Sequence, residues 1–201
     1  MKIPSKYIEN AVDQISSLPG IGRRTALRLV LQLLNRSKEE IDDFSNAFQM
    51  MKENVVKCTS CGNVSDFPVC EICNNENRDH GLICVVEDIR DVLAIEATQS
   101  YKGVYHVLGG IISPMDGVGP GDLNISALIE RANQGGVKEV IFALSATMEG
   151  DTTNFYLYRK LKECNVTISS LSRGVAVGSE LQYADEITLG RSIANRQPFS
   201  L

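Results

Sequence analysis

Residues 82–87 have the sequence LICVVE, five apolar residues in a row followed by a glutamate. A continuous apolar run of this length predicts a β-strand that is buried on both faces. Three further predicted strands follow at 104–108, 140–144 and 166–169, and helical patterns lie between the four strands at 88–97, 125–133 and 153–164. This alternation predicts a mostly parallel sheet with helices on both faces, the α/β class.

The residues before this sheet predict a purely helical module up to residue 57. Apolar residues at helical spacing indicate a helix over 6–17 and a second helix from about Arg23. The sequence SKEE at 37–40 is a capping box, which predicts the start of a third helix. At the other end of the chain the pattern is less regular. There we predict short apolar segments at 175–177 and 187–189, then a short helix from Arg191.

The composition is that of a globular protein, because 43% of the 201 residues are hydrophobic and 22% are charged. No apolar run approaches the roughly 20 residues needed to cross a bilayer, which argues against a membrane protein. The first residues lack the apolar core of a signal peptide, so we expect a cytoplasmic protein. The six cysteines are then expected to be reduced rather than paired in disulfides.

Charge is distributed unevenly along the chain. The net charge is −5, yet residues 1–57 carry nine Lys/Arg against seven Asp/Glu. Residues 58–201 carry the remaining eleven basic and eighteen acidic side chains. A basic N-terminal module followed by an acidic remainder suits a protein that contacts phosphates through the N-terminal module only.

Four cysteines with the spacing C-x2-C-x8-C-x2-C provide the strongest local signal. They are Cys58, Cys61, Cys70 and Cys73. Two C-x-x-C pairs supply four thiolates in a tetrahedron and leave no open position for water, which predicts one structural Zn²⁺ per chain. An iron–sulfur cluster is the competing interpretation, and a redox dithiol is a weaker one.

The bend between the first two helices has the sequence LPGIG at 18–22. Glycine lets a backbone approach a partner closely, and the next helix directs free N–H groups and the positive end of its dipole outward. The residues that we expect to grip a phosphate backbone are Gly20, Gly22, Arg23, Arg24 and Arg28. This pattern resembles the helix-hairpin-helix motif, which binds nucleic acid without reading its sequence. A plain turn with solvated arginines is the alternative.

Carboxylates follow two of the predicted strands, at the edge where open parallel sheets bind ligands. They are Glu87, Glu149 and Asp151. This placement resembles the Toprim fold of topoisomerases, primases and some nucleases, whose catalytic members hold Mg²⁺ with an Asp-x-Asp pair. Here Ser145 and Thr147 stand at those two positions. The resemblance therefore implies a non-catalytic Toprim-like domain with an acidic surface for a basic partner; solvated loop carboxylates are the alternative.

The order of these parts divides the chain into four. We predict a helix-hairpin-helix DNA-binding module at 1–57, a four-cysteine zinc finger at 58–79, a Toprim domain at 80–173 and a C-terminal segment at 174–201. The last part is loosely similar to a Walker B element at 183–186, YADE, and we assign it to oligomerisation. No Walker A sequence is present in the chain, so ATP hydrolysis is not expected.

Together the four parts resemble the RecR family of bacterial recombination mediators over essentially the whole chain. Many members have Asn-Pro-Thr near the third strand, where this sequence has SAT at 145–147. The resemblance implies a nucleoid-associated DNA-repair protein that binds DNA without sequence preference. It also implies that the chain acts with RecO, and in some pathways RecF, to load the recombinase on gapped or single-stranded DNA, as a dimer or ring tetramer. The alternative is a Mg²⁺-dependent Toprim nuclease or primase-like enzyme using the three carboxylates.

Overall fold

The computed structural model describes residues 3–196 and 198. The end of the predicted C-terminal part, 197 and 199–201, lies outside the described residues, as do residues 1 and 2. The chain forms two compact units, one that ends at Val55 and one that begins at Val56.

The first unit contains three helices, as the sequence predicts. They are α1 (Lys6–Ser16), α2 (Arg23–Leu34) and α3 (Lys38–Asn54). Helices α1 and α2 pack around a small core in which Val12, Ala26 and Val30 are buried. The capping box at the start of α3 is present, with Ser37 and Glu40 each bonded to the other's backbone N–H. Helix α3 buries no residue in the single chain, so its apolar stripe, with Phe44 and Phe48, lies exposed.

The second unit begins with the cysteine-rich finger. It comprises a two-stranded antiparallel sheet, β1 (Val56–Lys57) and β2 (Val64–Ser65), and the one-turn helix α4 (Glu71–Asn74). The segment has little regular structure and almost no apolar core, as its composition predicts.

The remainder of this unit is a four-stranded sheet with flanking helices. The elements are β3 (Asp79–Val86), α5 (Ile89–Ala97), β4 (Gly103–Val107), α6 (Ile125–Asn133), β5 (Glu139–Phe142), α7 (Met148–Leu161), β6 (Thr167–Ser170) and α8 (Glu186–Ala194). The strand order is β4-β3-β5-β6, and all three pairings are parallel. The predicted α/β architecture is therefore confirmed.

Strand β3 is buried on both faces. Ile83 and Val85 pack into a core with Leu128 of α6 and Leu157 of α7. On the opposite face Cys84 and Val86 pack with Val92 of α5 and with Tyr105. Because successive side chains of a strand point to opposite faces, the uninterrupted apolar run fills both layers at once.

Several boundaries differ from the sequence-based prediction. The helical part ends at Asn54 rather than at residue 57, because Val56 and Lys57 pair with β2, and β3 begins at Asp79 rather than at residue 82. Helix α7 begins at Met148 rather than at residue 153, because the hydroxyl of Thr147 accepts a hydrogen bond from Gly150 N–H and caps the helix. Glu149 and Asp151 therefore lie in the first turn of a helix, not in a loop. Helix α8 begins at Glu186 and includes 187–189, because the Asp185 carboxylate accepts from Thr188 N–H. Residues 175–177 have no regular structure.

Across 3–196 and 198, no helix is both long and apolar enough to span a bilayer.

Candidate functional site

The glycine bend leaves an open surface between α1 and α2. Gly20 has a φ of +79°, which favours glycine, and the N–H of Ile21 donates to Leu18 O over 3.1 Å to close the turn. A Cβ built at Gly20 or at Gly22 would meet no other atom within 4 Å. The backbone of the bend is therefore accessible to a large partner.

Helix α2 begins directly after this bend with exposed donors. Gly22 is the N-cap residue and offers no side-chain acceptor to the first turn, which also contains no acidic residue. The free N–H groups and the positive end of the helix dipole at this point favour an anion such as a phosphate.

The three arginines of α2 have different surroundings. Arg23 is ion-paired within its own unit, 2.5 Å from Asp13 Oδ1 and 3.6 Å from Glu9 Oε1. Arg24 and Arg28 are exposed and stand one turn apart, and neither has a carboxylate partner among residues 3–196 and 198. Arg24 and Arg28 therefore carry the positive charge that is available to a ligand, while Arg23 would first have to leave Asp13.

The four finger cysteines converge as their spacing predicts. Their sulfur atoms lie within 4.8 Å of one another, and the Cys61 and Cys70 sulfurs are 3.7 Å apart. A tetrahedral site with Zn–S bonds of about 2.3 Å requires sulfur–sulfur separations of about 3.8 Å. Three of the cysteines are buried and Cys73 is half-buried, so the donor set and its spacing fit a closed tetrahedral metal site.

Backbone hydrogen bonds hold the two cysteine pairs in position. Cys58 N–H donates to Asn63 O over 2.6 Å, and Gly62 N–H donates to Cys58 O over 2.9 Å. Across the site, Cys70 N–H donates to the Cys58 sulfur over 3.3 Å. These hydrogen bonds position the thiols without the help of a bound metal.

The thiols influence one another's ionisation. A hydrogen bond from Cys61, with smaller contributions from Cys70 and Ser60, lowers the pKa of Cys73 to about 5. The same interaction with Cys73, together with burial, raises the pKa of Cys61. A bound divalent cation would stabilise all four thiolates together, because coordination deprotonates a thiol.

The finger is fastened to the end of β4. Val107 N–H donates to Cys61 O over 2.7 Å. Gly62 lies so close to the sheet that an added Cβ would be 2.8 Å from Val107 O and 2.6 Å from Asn124 Nδ2. The sequence interpretation did not include Gly62 or Asn124. The glycine directly after the second cysteine of the pair was the available signal.

The first strand-end carboxylate, Glu87, lies directly after β3 beside two other acids. Asp91 accepts hydrogen bonds from the N–H groups of Glu87 and Asp88. Partial burial is the main reason why the pKa of Glu87 is raised, and the negative charges of Asp91 and Asp88 raise it further. Asp88 is itself ion-paired with Arg90.

The other two carboxylates, Glu149 and Asp151, lie in the first turn of α7, and Asp151 is ion-paired with two arginines. Asp151 is 2.6 Å from an Arg173 guanidinium nitrogen and 3.6 Å from one of Arg191. Arg173 is the main cause of a lowered pKa at Asp151. At the two positions aligned with Asp-x-Asp, the hydroxyls of Ser145 and Thr147 are 3.3 Å apart. The sequence interpretation missed both arginines, because they are distant along the chain.

The three carboxylates do not form a metal site together. Within the described ranges, the four cysteines are the only group of three or more His, Cys, Asp or Glu whose ligand atoms lie within 4.8 Å of one another. Glu87, Glu149 and Asp151 are thus not brought to a common point.

Comparison with known proteins agrees with this arrangement. Three family models match: RecR helix-hairpin-helix over 8–51, Toprim domain over 81–172 and RecR C-terminal over 174–197. The chain is 58% identical to "Recombination protein RecR" of Flavobacterium psychrophilum, over 99% of this chain and 97% of the relative. It is 60% identical to the protein of that name from Flavobacterium johnsoniae, with the same coverage. The identity to the Bacteroides thetaiotaomicron protein of that name is 58%, over 98% of this chain and 96% of the relative.

Proposed function

Because the chain belongs to the RecR family of recombination proteins, we propose that it is a DNA-binding clamp and recombination mediator in recombinational DNA repair. In this role it acts with RecO, and in some pathways RecF, to load the recombinase on gapped or single-stranded DNA. The proposed location is the cytoplasm, in association with the nucleoid. We keep the four-part division at residues 57, 79 and 173 as a proposal.

One observation carries the DNA-binding proposal. Arg24 and Arg28 are exposed on one face of α2, next to its N-terminus. The adjacent glycine bend is open, because a Cβ added at either glycine would meet no atom of the rest of the described chain within 4 Å. Positive side chains, free N–H groups and an accessible backbone suit a run of phosphates, and contacts to phosphates carry no sequence information. The expected binding is therefore independent of sequence and weakens with salt.

A titration of labelled DNA with the full chain tests this proposal. We expect Arg24→Ala plus Arg28→Ala to lower DNA affinity at least about tenfold at low salt, because each lost phosphate contact also reduces the release of counterions. The slope of log affinity against log salt should become shallower by about one to two units.

The matched control is Arg36→Ala plus Lys6→Ala, which removes the same charge from the same unit away from the bend. Its affinity should stay within about threefold of wild type, since only the long-range field changes. Equal losses in the two double variants would mean that general charge, not the bend, binds DNA.

We propose that the Toprim-like domain is not catalytic. Hydroxyls replace the Asp-x-Asp carboxylates, and Asp151 is already held by two arginines. Mg²⁺ prefers hard, anionic oxygen ligands in near-octahedral geometry. Cleavage or primer synthesis with Mg²⁺ or Mn²⁺ that disappears in Glu87→Ala would favour the nuclease or primase alternative instead.

For the finger we propose one structural Zn²⁺ per chain, held by Cys58, Cys61, Cys70 and Cys73. Four buried or half-buried sulfurs at tetrahedral spacing support zinc. No coordination position is left for water or substrate, so the metal would stabilise the fold and take no part in a reaction.

We propose that RecO docks on the acidic strand-end surface, defined here as Glu87, Glu149 and Asp151. We also propose that the chain assembles into a dimer or ring tetramer. The apolar side chains of α3 support assembly, because α3 buries none of its residues within a single chain.

A further inference from the structure

Asp151 is held by two arginines from segment 172–194, the part of the chain from just after β6 to the end of α8. Arg173 engages Oδ1 at 2.6 Å, and Arg191 of α8 approaches Oδ2 at 3.6 Å. Both carboxylate oxygens therefore face a positive group from the same segment. We call these three residues the Asp151 cluster.

Few other interactions hold α8 in place. The helix buries no residue, and Ile187 and Ile193 remain 70% and 61% exposed. A groove of about 1040 Å³, open to solvent, runs between α7 and α8 and is lined by Thr147, Phe155 and Ile187 among others. Because α8 buries so little apolar surface, the ion pair between Arg191 and Asp151 is one of few contacts that attach α8 to α7 within the described residues.

The cluster also changes the charge that a partner meets. Asp151 with Arg173 and Arg191 carries a net charge of +1, and neighbouring Glu149 together with Asp185, which lines the same groove, brings this local sum to −1. Without segment 172–194, Glu149 and Asp151 together would present −2 in the first turn of α7. Within the described part of the acidic strand-end surface, Asp151 is thus the residue that the seated segment pairs with arginine.

We infer that segment 172–194 masks Asp151 within the acidic strand-end surface, and that a basic protein partner displaces Arg173 and Arg191 from Asp151 when it docks. The inference rests on the proposed function, which places RecO on this surface. Displacement exchanges an ion pair within the chain for one with the partner, so the segment competes with the partner for a single carboxylate. The apparent affinity of the partner is its intrinsic affinity multiplied by the fraction of chains in which the segment is displaced.

The first test measures RecO binding to the full-length protein at low salt, by calorimetry. We expect Arg173→Ala plus Arg191→Ala to bind RecO about fivefold more tightly than wild type, because exposed ion pairs each contribute little. The matched control is Lys160→Ala plus Lys162→Ala. It removes two positive charges near the other end of α7 and should change RecO affinity by less than about twofold.

The second test follows amide hydrogen exchange over 186–194. We expect exchange in α8 to accelerate when wild-type protein binds RecO, and also in free Asp151→Asn, where the ion pairs are lost. The double arginine variant should keep the wild-type size in solution. A gain in affinity that accompanies a change of size would overturn the inference, since the effect would then come from assembly.

The outcomes separate the inference from the proposed function. If RecO binds wild type and Glu149→Ala weakens binding, docking on this surface stands. Unchanged affinity of the double arginine variant, or slower exchange of α8 in the complex, then overturns the masking alone. If RecO does not bind wild type, the proposed docking fails and the inference fails with it.

Discussion

Gly62 has a φ of +76°, and a side chain there would overlap Val107 O and Asn124 Nδ2. Two independent constraints therefore apply to one position: a left-handed backbone and the absence of space for a Cβ. Both arise where the first cysteine pair meets the end of β4. A residue with no chemical group of its own thus determines how the finger joins the sheet.

We expect Gly62→Ala to lower the free energy of unfolding by about 2 kcal/mol, from backbone strain and the forced separation from Val107 O. Urea denaturation of the metal-loaded protein measures this change. Gly121→Ala is the control, because its φ is not positive and its Cβ would meet no atom within 4 Å. It should stay within about 0.5 kcal/mol of wild type, and equal losses at both positions would contradict the argument.

The arginines show that one residue type can have two roles. Arg23, paired with Asp13, joins α1 to α2. Arg24 and Arg28 are free of such contacts within the described part of the chain. Identical residues in the first half of one helix thus divide between holding the hairpin together and presenting charge to a ligand.

At the scale of elements, the finger depends on its ligands, because three cysteines are its most buried side chains. A segment with so little apolar surface cannot compensate the entropy of ordering without a cross-link or a metal. The hydrogen bond from Val107 N–H to Cys61 O connects the ordered finger to the end of β4.

We expect metal analysis to find about one zinc per chain. Cys61→Ser should lose this metal and lower the melting temperature, since it removes a ligand and leaves three thiolates unbalanced. Cys164→Ser is the control, because Cys164 is buried outside the finger and should leave the zinc content unchanged. Iron, or no metal, in the wild-type protein would refute the assignment.

At the scale of the whole molecule, we expect one hairpin with two available arginines to bind DNA weakly, because the chain as a whole has a net charge of −5. Several hairpins in one assembly would raise the effective concentration of each for the same DNA. Helix α3 has the surface that such an assembly needs, because Phe44, Phe48 and Met51 are exposed.

We expect Phe48→Glu to reduce the size of the protein in solution, since a charge would be buried at the contact between copies. DNA affinity should fall with it by about tenfold or more, although every arginine is retained. Light scattering and a DNA titration provide the two measurements. Asn46→Glu adds the same charge to α3 at an exposed polar position and should change neither; wild-type size in Phe48→Glu would exclude α3 as the contact.

Much of the fold and of the candidate site could be predicted from the sequence, because the relevant signals are local. The run at 82–87 specified a strand buried on both faces, and the box at 37–40 specified the start of α3. The cysteine spacing specified a four-thiol cluster. Each depends on residues within about a dozen positions of one another, where chain geometry leaves few alternatives.

The pairing of Asp151 with Arg173 and Arg191 was decided only by the tertiary structure, as were the contacts of Gly62 with β4. The partners of Asp151 are 22 and 40 residues away in the chain, and no periodicity links them. An isolated carboxylate has the same appearance in a sequence whether it is free or neutralised. Its availability depends on which distant charges the folded chain brings within a few ångströms.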